Sequence, residues 1–329
     1  MARTRSRRKP LPETPVKTTI ASLAHDGRGV AHVDGKAVFI DEALPGEEVE
    51  FIYTEIRKDY AEGRVVTLLS RSAIRVDAQC AHYGVCGGCS FQHVASSEQI
   101  RIKQDLLVEQ FKRIGKIDIP EIWQALEGPH WGYRTKARMG VKYVAKKDRV
   151  LVGFRERRHQ YLAEIDNCIV MHPTVGTQLL ALGELIAGLS IKDKIPQIEV
   201  AIGDGQCVLA IRVLEPPTEE DEERMRVFGH QHNMSLCLQV KGPDTIAPLP
   251  GEPEVIPAYA LPEHDIEFKF RPAMFTQVNY EINRQMINRV IETLNLNEND
   301  TVLDLFCGLG NFTLPIARKA GHVVGIEGD

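Results

Sequence analysis

A chain of 329 residues is long enough for two or three domains with cores of their own, and 43% hydrophobic and 26% charged residues are the proportions of an ordinary globular protein. No apolar run approaches the roughly 20 residues of a membrane span, and the basic start Met1–Pro10 has no apolar stretch behind it, so a cytoplasmic protein without membrane association or secretory signal is expected. The net charge of −5 is unevenly spread: residues 1–160 hold 28 Lys and Arg against 20 Asp and Glu, residues 161–329 only 12 against 25, so one part can meet a polyanion while the whole stays soluble.

Residues 1–14 read as a disordered basic arm, with Arg3, Arg5, Arg7, Arg8 and Lys9. Residues 15–70 read as short strands between Gly-containing turns (HDGRG, DGKAVFI, LPGEEVEF, EGRVV), which makes a small β-barrel. The motif HDGRGVAHVDGKAVFIDEALPGEEVE resembles a TRAM domain, an OB-like barrel that binds RNA.

Residues 71–270 are expected to form a central α+β domain. It opens with a Cys-rich loop at 80–93, followed by a helix from Ser96 to Lys116. A Ser96/Gln99 capping box can start that helix, and Ile100, Lys103, Leu106, Leu107, Phe111 and Ile114 form a mostly apolar stripe that predicts a core face. From Tyr133 to Val170 the pattern is strand-like and rich in cations. On a strand Arg134, Lys136 and Arg138 share one face, a costly row unless an anion covers it or water solvates it, and an RNA-facing surface is the favoured reading. Residues 197–213 read as a hairpin around Gly203-Asp204-Gly205, 215–226 as an exposed acidic helix, and 236–240 as a strand; Cys207 and Cys237 read as buried apolar residues.

Cys80, Cys86 and Cys89 place three thiols within ten residues around a Gly pair, a soft-donor pattern that leaves zinc, iron–sulfur or no metal open. A fourth thiolate would complete such a site, and Cys168 is the best-placed candidate.

Residues 271–329 read as the start of a Rossmann-like domain: strand 301–305, glycine turn, helix 313–320, strand 322–326, then the acid Glu327. Asp304-x-x-x-Gly308-x-Gly310 is not the dinucleotide fingerprint but the version that suits S-adenosylmethionine. Cys307 reads as loop packing. Asn279 can cap a helix running to about Leu294, and Gln277 can equally be an ordinary residue at that helix's start.

The cysteine pattern and the stretch FTQVNYEIN…DLFCGLGNFTL…GIEGD resemble the bacterial 23S rRNA (uracil-5-)methyltransferases. The resemblance implies a [4Fe–4S] cluster on Cys80, Cys86, Cys89 and Cys168, cofactor contacts from Gln277, Phe306, Asn311 and Glu327, and 23S rRNA as the partner of a monomer. It also implies methyl transfer to uracil C5 through transient addition of a Cys thiolate to C6. By the same resemblance the nucleophilic Cys and the base Glu lie beyond Asp329, so no catalytic residue is assigned, the methyltransferase domain is expected to be incomplete, and no turnover is expected. The alternatives are another rRNA or tRNA uridine, or a non-catalytic iron–sulfur RNA-binding protein.

Overall fold

The computed structural model describes residues 10–328; the cations expected to form the N-terminal arm, Arg3 to Lys9, lie outside the described residues. The chain divides into two units with the boundary at Gln124/Ala125, inside the stretch expected to be one central domain.

In the first unit, strands β1 (Val16–Thr19), β2 (Ser22–Leu23), β3 (Gly29–Val33), β4 (Lys36–Asp41), β5 (Glu48–Ile56) and β6 (Tyr60–Leu68) form one sheet in the order β1-β5-β6-β4-β3-β2. The first two strands are consecutive in sequence yet stand at opposite ends of that order. Between them the Ile20 amide donates to the Glu47 carbonyl (2.9 Å) and the Ala21 amide to the Val30 carbonyl (2.8 Å), which closes the sheet into a barrel. Ile20, Ala31, Val38, Ile40, Val49, Phe51 and Ala61 fill it.

A second small core of Leu44, Val94 and Ile102, with Phe91 and Leu106 packed on it, seats the Cys-rich loop and helix α1 (Ser96–Gln110) on the barrel. The helix differs from the sequence expectation in two ways. Ala95, not Ser96, occupies the N-cap, and the Gln99 amide donates to the carbonyls of Phe91 (3.1 Å) and Val94 (2.9 Å). With Gln99 tied down, Ile102 and Leu106 face the barrel, whereas Leu107, Phe111 and Ile114 of the expected core stripe are exposed.

The joint between barrel and loop carries a buried ion pair. Glu47 is fully buried and accepts from Arg75 Nε (2.5 Å) and Nη2 (2.8 Å) and from the amides of Leu44 (2.8 Å) and Ser72 (3.1 Å). Burial alone would raise the carboxyl's pKa, but the Arg75 and backbone donors outweigh it and hold the pKa below the ordinary range.

The second unit is built on a sheet in the order β12-β11-β10-β9-β7-β8: β7 (Lys136–Val144), β8 (Arg149–Gly153), β9 (Gln197–Ile202), β10 (Cys207–Arg212), β11 (Ser235–Gln239) and β12 (Ile246–Pro248). Only β10 and β11 pair in parallel, joined by the crossover helix α4 (Glu219–His232). After the single turn α2 (Pro173–Gly176), helix α3 (Leu179–Ala187) packs on β8. Buried Asp221 completes the Thr218 capping box of α4 and also accepts from the Ser190 amide and hydroxyl, tying the two longer helices together. Cys207 and Cys237 are buried as expected, and burial pushes their thiols up to about 12 and about 11.

The chain then forms the hairpin β13 (Ala258–Leu261) and β14 (Ile266–Lys269), helix α5 (Tyr280–Leu294), and the parallel pair β15 (Thr301–Leu305) and β16 (His322–Ile326) linked through α6 (Thr313–Ala317). Tyr259, Leu261, Phe268, Phe270, Ile287, Ile291 and Ile316 pack against Ala201 of β9 as one core. Helix α6 is shorter than expected; residues 318–320 continue only as turns. Among the described residues no helix is long and apolar enough to cross a membrane.

Replacing Glu47 with Gln leaves Arg75 charged and under-compensated, and is expected to destabilise the first unit by about 3 kcal/mol at pH 7. Because the folded pKa lies below the unfolded value of about 4.3, the ionised Glu47 contributes stability above that pH and loses it as pH falls through the folded value. Urea melts of the parent and Glu47→Gln should therefore converge in acid; a gap independent of pH would contradict the assignment.

Candidate cofactor site

Strand β15 ends at Leu305, and the chain turns at once through Phe306 to Phe312. Phe306 has φ +61°, Gly308 φ +55° and Gly310 φ +87°. The two glycines take the left-handed region freely, whereas Phe306 is held there as a bulky side chain, 88% exposed. Space at Gly308 is open: a Cβ built there meets nothing within 4 Å. This is a cradle in which backbone faces outward with no side chain between it and a ligand.

The turn is fixed from three sides. The Gly308 amide donates to Glu327 Oε2 (2.7 Å), and the Cys307 amide to the Ile326 carbonyl (3.1 Å), so the end of β16 is clasped to the turn. Thr313 Oγ1 donates to Asp304 Oδ2 (2.5 Å) beneath it. Asn311 exchanges two amide hydrogen bonds with Asn283 (2.8 and 2.9 Å), and its Oδ1 also accepts from the Tyr259 hydroxyl (3.0 Å). Asn283 is buried in the first turns of α5, so this pair ties the glycine turn to the helix that follows Gln277.

The predicted site residues are thus placed as follows. Glu327 and the glycine turn are brought together, with the Glu327 carboxylate accepting from the Gly308 amide (2.7 Å) and the Gly328 amide (2.7 Å). Phe306 stands exposed at the turn's entrance. Asn311 is directed into the protein, toward Asn283 and Tyr259. Gln277 is half-buried between β14 and α5, with its neighbour Val278 pinned by the Thr135 amide (3.0 Å). Asn279 caps α5 through the Ile282 amide (3.1 Å). The Cys307 sulfur packs against β16, where a Cβ on Gly325 would come within 3.0 Å of it. Asn283 and Tyr259 were missed by sequence reasoning. The available signal was Asn283 itself, a polar residue four positions before Ile287 on the buried face of α5.

The cation row behaves differently from its sequence reading. Arg134 precedes β7 and donates to the Lys136 carbonyl (3.2 Å), the Lys136 amine donates to the Pro272 carbonyl, and Arg138 pairs with cross-strand Glu199 (2.6 Å). Burial, opposed by Glu199 and helped by Arg138, lowers the Lys136 amine to about 8. Glu199 of the neighbouring strand is the anion over Arg138, while Arg134 and Lys136 are held by backbone carbonyls.

The four thiols lie on two separate segments of the chain. Cys80, Cys86 and Cys89 are half-buried on successive turns of one loop, where the Cys86 amide donates to the His82 carbonyl (2.9 Å) and Tyr83 stacks on His93. Cys168 belongs to the second unit. No disulfide joins any of them, and among the described residues no three His, Cys, Asp or Glu side chains converge to hold a metal. The donor set, all thiols, suits a soft metal.

Comparison with known proteins places this geometry. The TRAM domain family matches residues 16–66, and the tRNA (uracil-5-)-methyltransferase family matches residues 254–327, the segment holding the glycine turn. The fold resembles that of Pyrococcus abyssi tRNA (uracil-54, C5)-methyltransferase, solved in complex with S-adenosyl-L-homocysteine (TM-score 0.61, 20% identity, covering 90% of this chain and 69% of that one). These matches define the class: an RNA uracil-C5-methyltransferase fold. The 23S rRNA (uracil(1939)-C(5))-methyltransferase RlmD of Methylococcus capsulatus is 51% identical over 98% of this chain and 73% of its own length. Its counterpart in Nitrosococcus oceani is 49% identical over 98% of this chain and 72% of its own. The chain belongs to this 23S rRNA uracil-C5-methyltransferase family.

Asn283→Ala removes two hydrogen bonds and strands the Asn311 amide, and is expected to cost about 2 kcal/mol. A double-mutant cycle with Asn311→Ala checks it by urea unfolding. The double variant should lose clearly less than the sum of the singles; additive losses would show that the pair is not coupled.

Proposed function

We propose that this protein binds S-adenosylmethionine in the glycine cradle and serves methylation of C5 of a uridine in 23S rRNA, acting as a cytoplasmic monomer. The observation that carries the reading is the open Gly308 turn clasped by the Glu327 carboxylate. Bound there, the cofactor would supply an electrophilic methyl group. Glu327 would accept hydrogen bonds from the ribose hydroxyls, and Phe306 would offer its exposed ring to the adenine. Asn311, locked by Asn283 and Tyr259, would hold the turn in register, and Gln277 would meet the methionine portion. Membership in the family supports 23S rRNA as the substrate, and the TRAM match supports RNA contact by the barrel. Cys307 is not the nucleophile in this reading, because its sulfur is packed against β16.

Calorimetric titration with S-adenosylmethionine should give one site per chain. Glu327→Ala should weaken it ten- to a hundredfold, on the order of the 1.5–3 kcal/mol of a hydrogen bond to a charged group. Gly308→Ala should weaken it by filling the cradle, at a stability cost of about 1–2 kcal/mol for a Cβ in the left-handed region. Absence of heat with the parent chain would refute the cofactor assignment.

The same proposal places a [4Fe–4S] cluster on Cys80, Cys86, Cys89 and Cys168. Its support is the all-thiol donor set, which suits iron and sulfide, and the role would be structural, since methyl transfer moves no electrons to or from the protein. Anaerobically purified protein should contain iron and acid-labile sulfide and absorb near 400 nm, and Cys89→Ser should abolish the band. Stoichiometric zinc without iron would contradict it.

A further inference from the structure

The cations on β7 nearest the cofactor segment are satisfied within the protein, but the other half of that strand is open. Beyond β8 the chain forms a short hairpin: the Glu156 amide donates to the Tyr161 carbonyl (2.9 Å), the Ala163 amide to the Phe154 carbonyl (2.9 Å), and Arg155 bridges Leu162. The hairpin lies close on β7 because Gly140 has no side chain; a Cβ there would stand 2.6 Å from Leu162. Between hairpin and strand runs a groove of about 830 Å³, a volume in the range of small-ligand sites.

Its chemistry is one-sided. Lys142 and Arg155 line it together with the rings of Tyr143, Phe154 and Tyr161; Arg138 stands at its edge, already paired with Glu199 (2.6 Å), and no carboxylate is among the lining residues. Arg155 is exposed and held by the Gln160 carbonyl (3.1 Å), and Lys142 is exposed. Asp148 is engaged by the Tyr143 hydroxyl (2.8 Å) and Lys192 (3.7 Å). Tyr161 is 65% exposed at the groove, with the His159 ring stacked beside it (centroids 6.4 Å apart) and much of its own ring still open to water. Cations along a wall and exposed ring faces are the two features that hold single-stranded nucleic acid: the cations track phosphates and the rings stack bases. An acidic peptide would use the cations but leave the rings idle.

We propose that the groove between β7 and the 154–163 hairpin is a docking site for a single-stranded segment of the RNA substrate, with a base stacked on Tyr161 and phosphates on Lys142 and Arg155. This rests on the RNA-substrate part of the proposed function and adds a place for RNA outside the cofactor turn.

The probe is a fluorescein-labelled single-stranded RNA dodecamer, followed by anisotropy over a salt series, with inorganic polyphosphate as a polyanion without rings. Tyr161→Ala should weaken RNA binding about tenfold with an unchanged salt slope and leave polyphosphate binding unaltered, while Tyr161→Phe should bind RNA as the parent does. Lys142→Ala should lower the salt slope by about one and weaken both polyanions. RNA binding unchanged in both alanine variants would overturn the proposal, as would equal loss of RNA and polyphosphate in Tyr161→Ala, or displacement of RNA from the parent by oligoglutamate at matched charge. Calorimetry with S-adenosylmethionine on the same variants separates the two claims: cofactor binding retained with no groove effect removes only the groove, whereas lost cofactor binding in the parent removes the cofactor reading.

Discussion

The hydrogen bond from the Gly308 amide to Glu327 is the contact on which the site depends, because it joins the ends of two parallel strands at a turn where backbone is left open. A parallel pair directs both carboxyl ends of its strands to the same edge, so the glycine turn after β15 and the acid after β16 meet without further design. A left-handed turn frees the Gly308 amide to point at that acid. The same conformation at Phe306 is strained, which only a surrounding structure that over-determines it can sustain. Thr313 on Asp304 and the Asn311–Asn283 pair supply that determination from below and from the side.

Burial of polar groups repeats as a way of joining segments in this protein. Glu47 pins the segment Ser72 to Arg75, which leads into the Cys-rich loop, to the barrel, Asp221 ties α4 to the end of α3, and Asn283 ties the glycine turn to α5. Each is a fully or nearly fully buried group whose lone pairs and protons are matched by specific donors or acceptors, so each fixes one arrangement of two segments rather than adding nonspecific cohesion.

The sequence made some of this legible and hid the rest for physical reasons. The barrel strands, the 203–205 hairpin turn, the Asn279 cap and the strand–turn–strand of the cofactor segment are local: turn chemistry, alternation and capping are written in a few neighbouring residues. The apolar stripe of α1 does not by itself indicate its buried face, because Gln99, through bonds to Phe91 and Val94 outside the helix, helps set which side meets the barrel. The cation row was recognised as a shared face but its counter-ion was not, since Glu199 lies 61 positions from Arg138 and reaches it only through strand pairing. Asn311 likewise meets Asn283 across 28 residues, a pairing no local pattern announces.

One adenosyl ligand is proposed to rest between the cradle at Gly308 and the carboxylate of Glu327. A crystal structure of the chain with S-adenosyl-L-homocysteine tests it most directly. The ribose hydroxyls should lie within hydrogen-bond distance of Glu327 and the ligand should rest against Gly308, with Asn311 still paired to Asn283. Ligand density elsewhere in the second unit, or a ribose that ignores Glu327, would contradict it.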